Sequence, residues 1–333
     1  MPGPVVVDAM GGDHGTAETV AGAVAALREH GVPVVLVGRA GRVRRELARH
    51  GACGEIEVVH AEGVVPMGER GTGALAPDTS IAVGCELLRR GAGAAFVSAG
   101  STGAVASCAV RSVGRADGVL RPALAVALPQ ATGGASVLLD AGVTCDPTPE
   151  MVAGFALLGV SYARRVLGAA TPSVGLLSIG SEPGKGSRLT RRAEELLRRL
   201  PVRFRGPIEG HDVLAGAVDV IVTDGFTGNV VLKNVEGTVR AVLAMAARAQ
   251  DARPEALREV ARRYDPETHG GAALLGLRRT VVVAHGSSRA RTIARACAVA
   301  RDLAAGGVPE RVPGPPGPAA HQAAVPDGQG RGR

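Results

Sequence analysis

Residues 5–14 constrain this chain more than any other segment, because they join an apolar run to charged side chains through a pair of glycines. The three valines at residues 5–7 are typical of a buried parallel strand. The residues that follow are two carboxylates, two glycines and a histidine: Asp8, Gly11, Gly12, Asp13 and His14. The glycines allow a tight turn, so the charged groups are predicted to lie where open α/β sheets bind ligands. A plain strand-turn-helix, in which Asp13 only caps a helix, explains the segment equally well.

Further apolar runs along the chain also lead into polar loops that contain glycine. These loops lie at residues 98–104, 140–146, 180–187, 223–229 and 285–288. Parallel strands present their carboxyl ends at one edge of a sheet, so the loops are predicted to form a single site. Strand-loop-helix units recur roughly every 30 to 45 residues without sequence repetition, which favours a wound α/β sheet over a solenoid.

The ordered loop motifs resemble those of the bacterial phosphate acyltransferase (PlsX) family. The resemblance extends from about residue 4 to about residue 305, through motifs at residues 8–14, 98–104, 121–125, 140–146, 184–186, 224–229, 270–276 and 285–288. It implies a three-layer α/β/α sandwich with a largely parallel sheet, as in isocitrate and isopropylmalate dehydrogenases and phosphotransacetylases. It also implies a homodimer, peripherally associated with the membrane, that converts acyl-acyl-carrier-protein and inorganic phosphate into acyl phosphate for phospholipid synthesis.

Phosphate attack on a thioester needs an anion site, donors for the tetrahedral oxyanion and a way to manage the leaving thiolate. The candidate catalytic residues are His14, Lys185, Asn229 and His285. Backbone N–H groups and hydroxyls at residues 101–103, together with the Lys185 ammonium, are the predicted phosphate donors. The candidate residues for substrate and phosphate binding are Asp8, Gly11, Gly12, Asp13, Ser98, Gly100, Ser101, Thr102, Gly103, Asp140, Gly184, Gly186, Asp224, Gly225, Lys233 and Ser287.

Several of these residues have a structural interpretation as well. Asp8, Asp140 and Asp224 are predicted to organise loops, because a carboxylate beside incoming phosphate repels it unless a lysine pairs with it. Either histidine fits a structural role equally well, and Lys185 also fits a surface lysine in a glycine loop.

Ser101 departs from the family pattern, which leads us to expect asparagine there. Serine keeps a donor and an acceptor but loses the reach of the planar amide. Further changes near residues 144–145, 181 and 187, and the neutral residues 75–77, indicate a divergent member. Two alternatives therefore stay open: a paralogue that binds an acyl carrier without turnover, and a phosphotransacetylase-like enzyme. No GxGxxG follows the first strand, and no cofactor or metal is predicted.

Composition narrows the choice of partner and compartment. Aromatic residues make up 2% of the chain, which argues against stacking platforms for nucleic acid. The formal charge of +7 is spread along helices, where it steers an acidic carrier protein toward the surface. The five cysteines include no CxxC pair, so disulfides are not expected and a cytoplasmic location fits.

The C-terminal third contains the weakest signals. Residues 239–250 are predicted to be a helix, followed by a break at Pro254 and a second helix, as a protrusion over about residues 239–269. Its apolar face is mostly alanine, so dimer contact is favoured over membrane anchoring. No leader pattern and no apolar stretch of membrane-spanning length is found. A single domain is expected over residues 1–305, and a disordered tail over 306–333.

Overall fold

The computed structural model describes residues 3–68, 76–182, 184–248, 254–264 and 270–306. The strands are β1 (Val5–Asp8), β2 (Val34–Gly38), β3 (Glu57–His60), β4 (Ala95–Ser98), β5 (Ala123–Pro129), β6 (Ala135–Leu139), β7 (Ser173–Leu177), β8 (Arg203–Ile208), β9 (Val220–Val222), β10 (Ala272–Leu275) and β11 (Thr280–Val283). The helices are α1 (Gly15–His30), α2 (Ala40–Arg49), α3 (Ser80–Arg89), α4 (Thr102–Ser112), α5 (Pro149–Val166), α6 (Arg188–Leu197), α7 (Gly225–Ala246), α8 (Pro254–Tyr264) and α9 (Ala290–Ala305).

The described strands form one sheet in the order β3-β2-β1-β4-β11-β10-β5-β6-β9-β7-β8. Strands β1 to β4 and β11 pair in parallel, and so do β6 to β9. The pairs β11–β10, β10–β5 and β5–β6 are antiparallel. The predicted α/β fold with a largely parallel sheet is therefore confirmed.

The prediction that all the loops share one sheet edge is wrong. The three antiparallel pairings reverse the chain direction between β11 and β6. The carboxyl ends of β1, β4 and β11 consequently point to one edge, and those of β6, β7 and β9 point to the other. Apolar runs do not report strand direction, so the sequence pattern could not reveal this reversal.

Helices cover both faces of the sheet. Val6 packs on one face against α3 and α4, whereas its neighbours Val5 and Val7 pack on the other face against α1 and α9. Farther along the sheet, Phe155 of α5 joins the core formed with β7 and α6. This alternation is expected for strands buried on both faces, and it places apolar cores on either side of the sheet.

The C-terminal helices differ from the sequence-based expectation. The helix predicted at residues 239–250 is the second half of α7, which begins at Gly225. Asp224 starts it by accepting a hydrogen bond from the Thr227 N–H, a capping signal that the sequence reasoning read only as a loop. Residues 307–333, where the tail is predicted, lie outside the described residues. No helix in the described ranges has the length and apolarity needed to cross a membrane.

Candidate active site

Asp8 joins the loops that follow β1 and β4. Its buried carboxylate accepts hydrogen bonds from the Met10 N–H at 3.0 Å and from Ser98 Oγ at 2.7 Å. Ser98 Oγ accepts in turn from the Gly100 N–H at 3.0 Å. A Cβ on Gly11 would lie 2.7 Å from both Asp8 Oδ2 and Gly100 N, so only glycine fits there. Asp8 therefore has the geometry of a loop organiser.

Asp140 organises the loop after β6 in the same way. Its fully buried carboxylate accepts from the Leu124 N–H at 2.8 Å and the Thr144 N–H at 2.6 Å, with Gly142 and Val143 also donating. Burial raises the pKa of this carboxyl, and the four backbone N–H groups oppose that rise. The carboxylate thus fixes the loop against β5 rather than facing a ligand.

Helix α7 bridges the two sets of loops. Its first turn packs so tightly on the Asp140 loop that a Cβ on Gly228 would collide with the Asp140 carbonyl oxygen. The next residue, Asn229, lies beside Gly142, and one turn farther on Lys233 reaches the loop after β11. Loops that leave opposite edges of the sheet therefore meet along one helix.

Lys233 and His285 form the central polar contact of this region. Lys233 Nζ lies 2.8 Å from His285 Nε2 and 2.8 Å from Glu236 Oε2. An ammonium only donates, so Nε2 accepts and the ring proton sits on Nδ1, 2.7 Å from Ser287 Oγ. The Ser287 N–H also points at Nδ1 from 3.2 Å, and it donates there only when the ring proton moves to Nε2. Burial and the Lys233 charge lower the pKa of His285, which keeps the ring neutral at neutral pH.

A cavity of about 460 Å³ lies between α7, β5 and the loops after β1, β4, β6 and β11. Its polar lining includes Asp13, Thr102, Asn229, Lys233, Glu236, Arg240, His285 and Ser287. Its apolar lining includes Leu124, Val126, Leu128, Leu232, Val235 and Val239. On α7 the charged residues 233, 236 and 240 and the aliphatic residues 232, 235 and 239 form neighbouring stripes at helical spacing. A ligand in this cavity meets charged groups and hydrogen-bond donors beside an aliphatic groove.

The start of α4 adds anion-binding capacity to the polar lining. Thr102 is the first residue of α4, and the Ser101 side chain makes no capping hydrogen bond in the described structure. The first intrahelical bond is donated by Val105 to the Ser101 carbonyl, which leaves the N–H groups of residues 102–104 without helical partners. Such a helix start attracts a phosphate through its N–H groups and its dipole.

The structure brings together only part of the predicted site. The predicted residues that line the cavity are Asp13, Gly100, Thr102, Asn229, Lys233, His285 and Ser287. Ser101 and Gly103 flank Thr102, whereas Asp224 and Gly225 begin α7 behind Asn229. Asp8, Gly11, Gly12, Ser98 and Asp140 belong to the loops that support the cavity.

Two predicted catalytic residues lie elsewhere. Lys185, between Gly184 and Gly186, is exposed in the loop after β7, which is two strands beyond β6. His14 is exposed before α1, and neither side chain lines the cavity. Their catalytic roles stay predictions.

The structure also adds residues that the sequence reasoning passed over. Glu236 accepts a hydrogen bond from Lys233. The apolar side chains on α7 and β5 form a groove. On α7 these side chains follow the spacing i, i+3, i+7, which becomes visible only when the first residue of the helix is known. Ser288 and Thr292, at the start of α9, are buried at the cavity wall. Their hydroxyls have no hydrogen-bond partner within the described part of the chain.

Solved structures place the chain in a class of folds. A phosphotransacetylase from Streptococcus pyogenes matches with a TM-score of 0.64 at 17% identity, over 91% of this chain and 94% of that chain. A 4-hydroxythreonine-4-phosphate dehydrogenase from Klebsiella pneumoniae matches with a TM-score of 0.54 at 17% identity, over 91% and 99% of the two chains. At these identities the matches show the fold alone. The protein is an α/β protein with a large, mostly parallel sheet, and its fold is similar to those of these two structures.

Sequence relatives identify the family. A family model described as a fatty acid synthesis protein matches residues 4–311. The phosphate acyltransferase of Thermobifida fusca (strain YX) is 51% identical over 329 residues, covering 93% of this chain and 90% of that protein. That of Desulforamulus reducens is 42% identical over 309 residues, covering 90% and 92%. The chain belongs to the phosphate acyltransferase family, as its loop motifs implied.

Proposed function

We propose that the protein transfers the acyl group of an acyl carrier protein thioester to inorganic phosphate and releases acyl phosphate. The single observation that carries the proposal is the cavity in which the Lys233–His285 contact and the start of α4 adjoin an aliphatic groove. A phosphate dianion needs the first feature and a fatty acyl chain needs the second. The names of the sequence relatives support the same reaction.

Phosphate binding is assigned to Lys233 and to the N–H groups at the start of α4. Lys233 supplies a full positive charge, and residues 102–104 supply backbone donors. When Lys233 turns toward phosphate, His285 Nε2 becomes free to accept a proton. Asp13 also lines the cavity, but its carboxylate only accepts hydrogen bonds, so it is not among the phosphate donors.

The chemical step follows from these positions. A phosphate oxygen attacks the thioester carbonyl carbon, and the Asn229 amide donates to the oxyanion that forms. The carbon–sulfur bond then breaks. His285, neutral at the start, takes the proton of hydrogen phosphate at Nε2 and returns it to the leaving thiolate. The products are acyl phosphate and the free carrier thiol, and the proton is conserved.

Incubation of the purified protein with acyl carrier thioester and phosphate tests the proposal. Acyl phosphate is trapped with hydroxylamine and the released thiol is counted, with sulfate in place of phosphate as the control. Equal amounts of both products are expected. Turnover of acyl-coenzyme A thioesters but not carrier thioesters would favour a phosphotransacetylase-like enzyme, and carrier binding without any product would favour the non-catalytic alternative.

The assembly proposed for the chain is a homodimer formed through α7. Val242 and Met245 on α7 are 53% and 65% exposed, which is unusual for large apolar side chains on one helix. A second copy of the chain would cover them.

All five cysteines are free thiols, which supports a reducing, cytoplasmic location with at most weak peripheral contact to the membrane.

A further inference from the structure

We propose that the groove between β5 and α7 holds the acyl chain, and that Val126 and Tyr264 determine the chain length that the enzyme accepts. The inference rests on the acyl transfer proposed above and adds the placement and length limit of the chain. It follows from the composition of the two walls and from the position of the distal end.

The two walls of the groove present aliphatic side chains that arise from two different periodicities, and on α7 these side chains lie beside the charged stripe of residues 233, 236 and 240. On β5, Leu124, Val126 and Leu128 alternate with the residues of the opposite face. The facing residues of α7 are Leu232, Val235 and Val239. Val126 and Val235 are only half-buried although they lie within an apolar wall. A flexible hydrocarbon chain is the part of the substrate that would complete their burial.

The groove has a reactive end and a distal end. Lys233 marks the reactive end through its contact with His285. Val239, six residues farther along α7, is about 9 Å away along the helix axis. At the end of β5 the Gln130 carbonyl accepts from Arg263 Nη2 at 2.7 Å, which anchors the end of α8 there. Tyr264, the last residue of α8, follows Arg263 and also lines the cavity, so it lies at the distal end.

Tyr264 limits the chain, because it lies at the distal end of the groove. Longer chains must pass Tyr264, so replacing its ring by a small side chain should favour them, and a larger side chain at Val126 should exclude them.

A pair of substitutions with opposite expected effects tests the proposal. Val126→Phe and Tyr264→Ala are compared with the parent on carrier thioesters of eight and sixteen carbons at saturating phosphate. Each methylene of the substrate that cannot be buried in the groove should lower kcat/KM about fourfold, the equivalent of ~0.8 kcal/mol. Val126→Phe should therefore lower the ratio of kcat/KM for sixteen to eight carbons by about tenfold or more. Tyr264→Ala should raise that ratio severalfold.

Val260→Ala is the matched control, because Val260 lies one turn earlier on α8, is 43% exposed and does not line the cavity. It should leave the chain-length ratio unchanged. An unchanged ratio in both test variants, each folded and active, would overturn the proposal.

The rise in melting temperature caused by binding of the same acyl carriers measures the preference for chain length without turnover. If the parent makes no acyl phosphate, the proposed reaction fails, and this second measurement still decides the chain site. Stabilisation that shifts with chain length in the two variants would support an acyl site, and stabilisation independent of chain length would exclude one.

Discussion

Lys233 Nζ and His285 Nε2 lie 2.8 Å apart at the wall of the cavity, although the two residues are 52 positions apart in the chain. The contact exists because α7 starts against the Asp140 loop and reaches the loop after β11 two turns later. It fixes the histidine as a neutral ring with a basic nitrogen that faces an ammonium. In the proposed reaction, phosphate that draws Lys233 away would free this nitrogen to act as the base.

Removal of the Lys233 ammonium should weaken phosphate binding. Lys233→Ala is expected to raise the KM for phosphate about ten- to a hundredfold, because a charge-assisted hydrogen bond to a dianion contributes about 1.5–3 kcal/mol. Lys233→Arg retains the charge and should recover most of the loss. Steady-state kinetics at varied phosphate concentration measures this KM. If the KM for phosphate of Lys233→Ala is within twofold of the parent value, Lys233 does not bind phosphate.

Lys185→Ala tests the role that the glycine loop predicts from the sequence. If that prediction is right, Lys185→Ala should raise the KM for phosphate about tenfold or more. Lys185 is exposed outside the cavity, so such a result would require its loop to move toward the cavity during turnover. An unchanged phosphate KM would leave Lys233 as the phosphate lysine.

The acid limb of the pH profile should report His285. Burial, and then the Lys233 charge, lower its pKa below the ordinary 6.5, so kcat/KM should begin to fall only at a pH below 6.5. Lys233→Met removes the second cause, and the limb should move to higher pH. As pH falls below 6.5 the unfolded chain takes up the proton first, so stability also declines in that window. If Lys233→Met leaves the acid limb unchanged, the group that ionises there is not His285.

Asp140→Asn should destabilise the protein more than it alters the chemistry. An amide offers one acceptor and a donor, so its NH2 would confront N–H groups that now donate to the carboxylate, such as that of Thr144 at 2.6 Å. The expected loss is about 1–3 kcal/mol in the free energy of unfolding, measured with urea. Asp117→Asn is the control, since Asp117 pairs with Arg278 while 66% exposed and should cost little. Equal losses at both positions would contradict the organising role.

The sequence allowed the fold class and the supporting loops to be predicted, because these depend on local patterns. Apolar runs marked the strands before the loops at residues 98–104 and 285–288, and glycines marked the close approach at Gly11. Strand direction was not predictable in this way. An antiparallel strand such as β10 has the same apolar run as a parallel one, and the pairing that reverses the sheet is made by residues far apart in sequence.

The same limit explains why the sequence pattern favours Lys185 over Lys233 as the phosphate-binding lysine. Lys185 stands out in the sequence because glycines flank it, whereas Lys233 resembles an ordinary helix-surface residue paired with Glu236 at i+3. Only the course of α7 across the sheet brings Lys233 to His285. Local sequence does not contain that information.

Ser101 tests the start of α4 as a phosphate site. Its side chain makes no capping hydrogen bond, so its hydroxyl is free to donate to phosphate beside the N–H groups of residues 102–104. Ser101→Ala should lower kcat/KM for phosphate about fivefold to tenfold, the equivalent of ~1 kcal/mol for a hydrogen bond. Ser101→Asn, the residue expected from the family pattern, should be tolerated or improve turnover. An Ala variant indistinguishable from an active parent would place Ser101 outside the phosphate site.

A charge on the exposed face of α7 should dissociate the proposed homodimer. Val242 is 53% exposed and lies three residues before Met245, so Val242→Glu would bring a carboxylate into the apolar contact between copies. Desolvation of an unpaired charge costs about 3 kcal/mol or more, which would raise the dissociation constant at least about a hundredfold. Ile179→Glu is the control, because Ile179 is 83% exposed in the loop after β7, away from α7. Sedimentation velocity at micromolar concentration should show a monomer for Val242→Glu and a dimer for Ile179→Glu; a dimer in both variants would exclude this face of α7 as the interface.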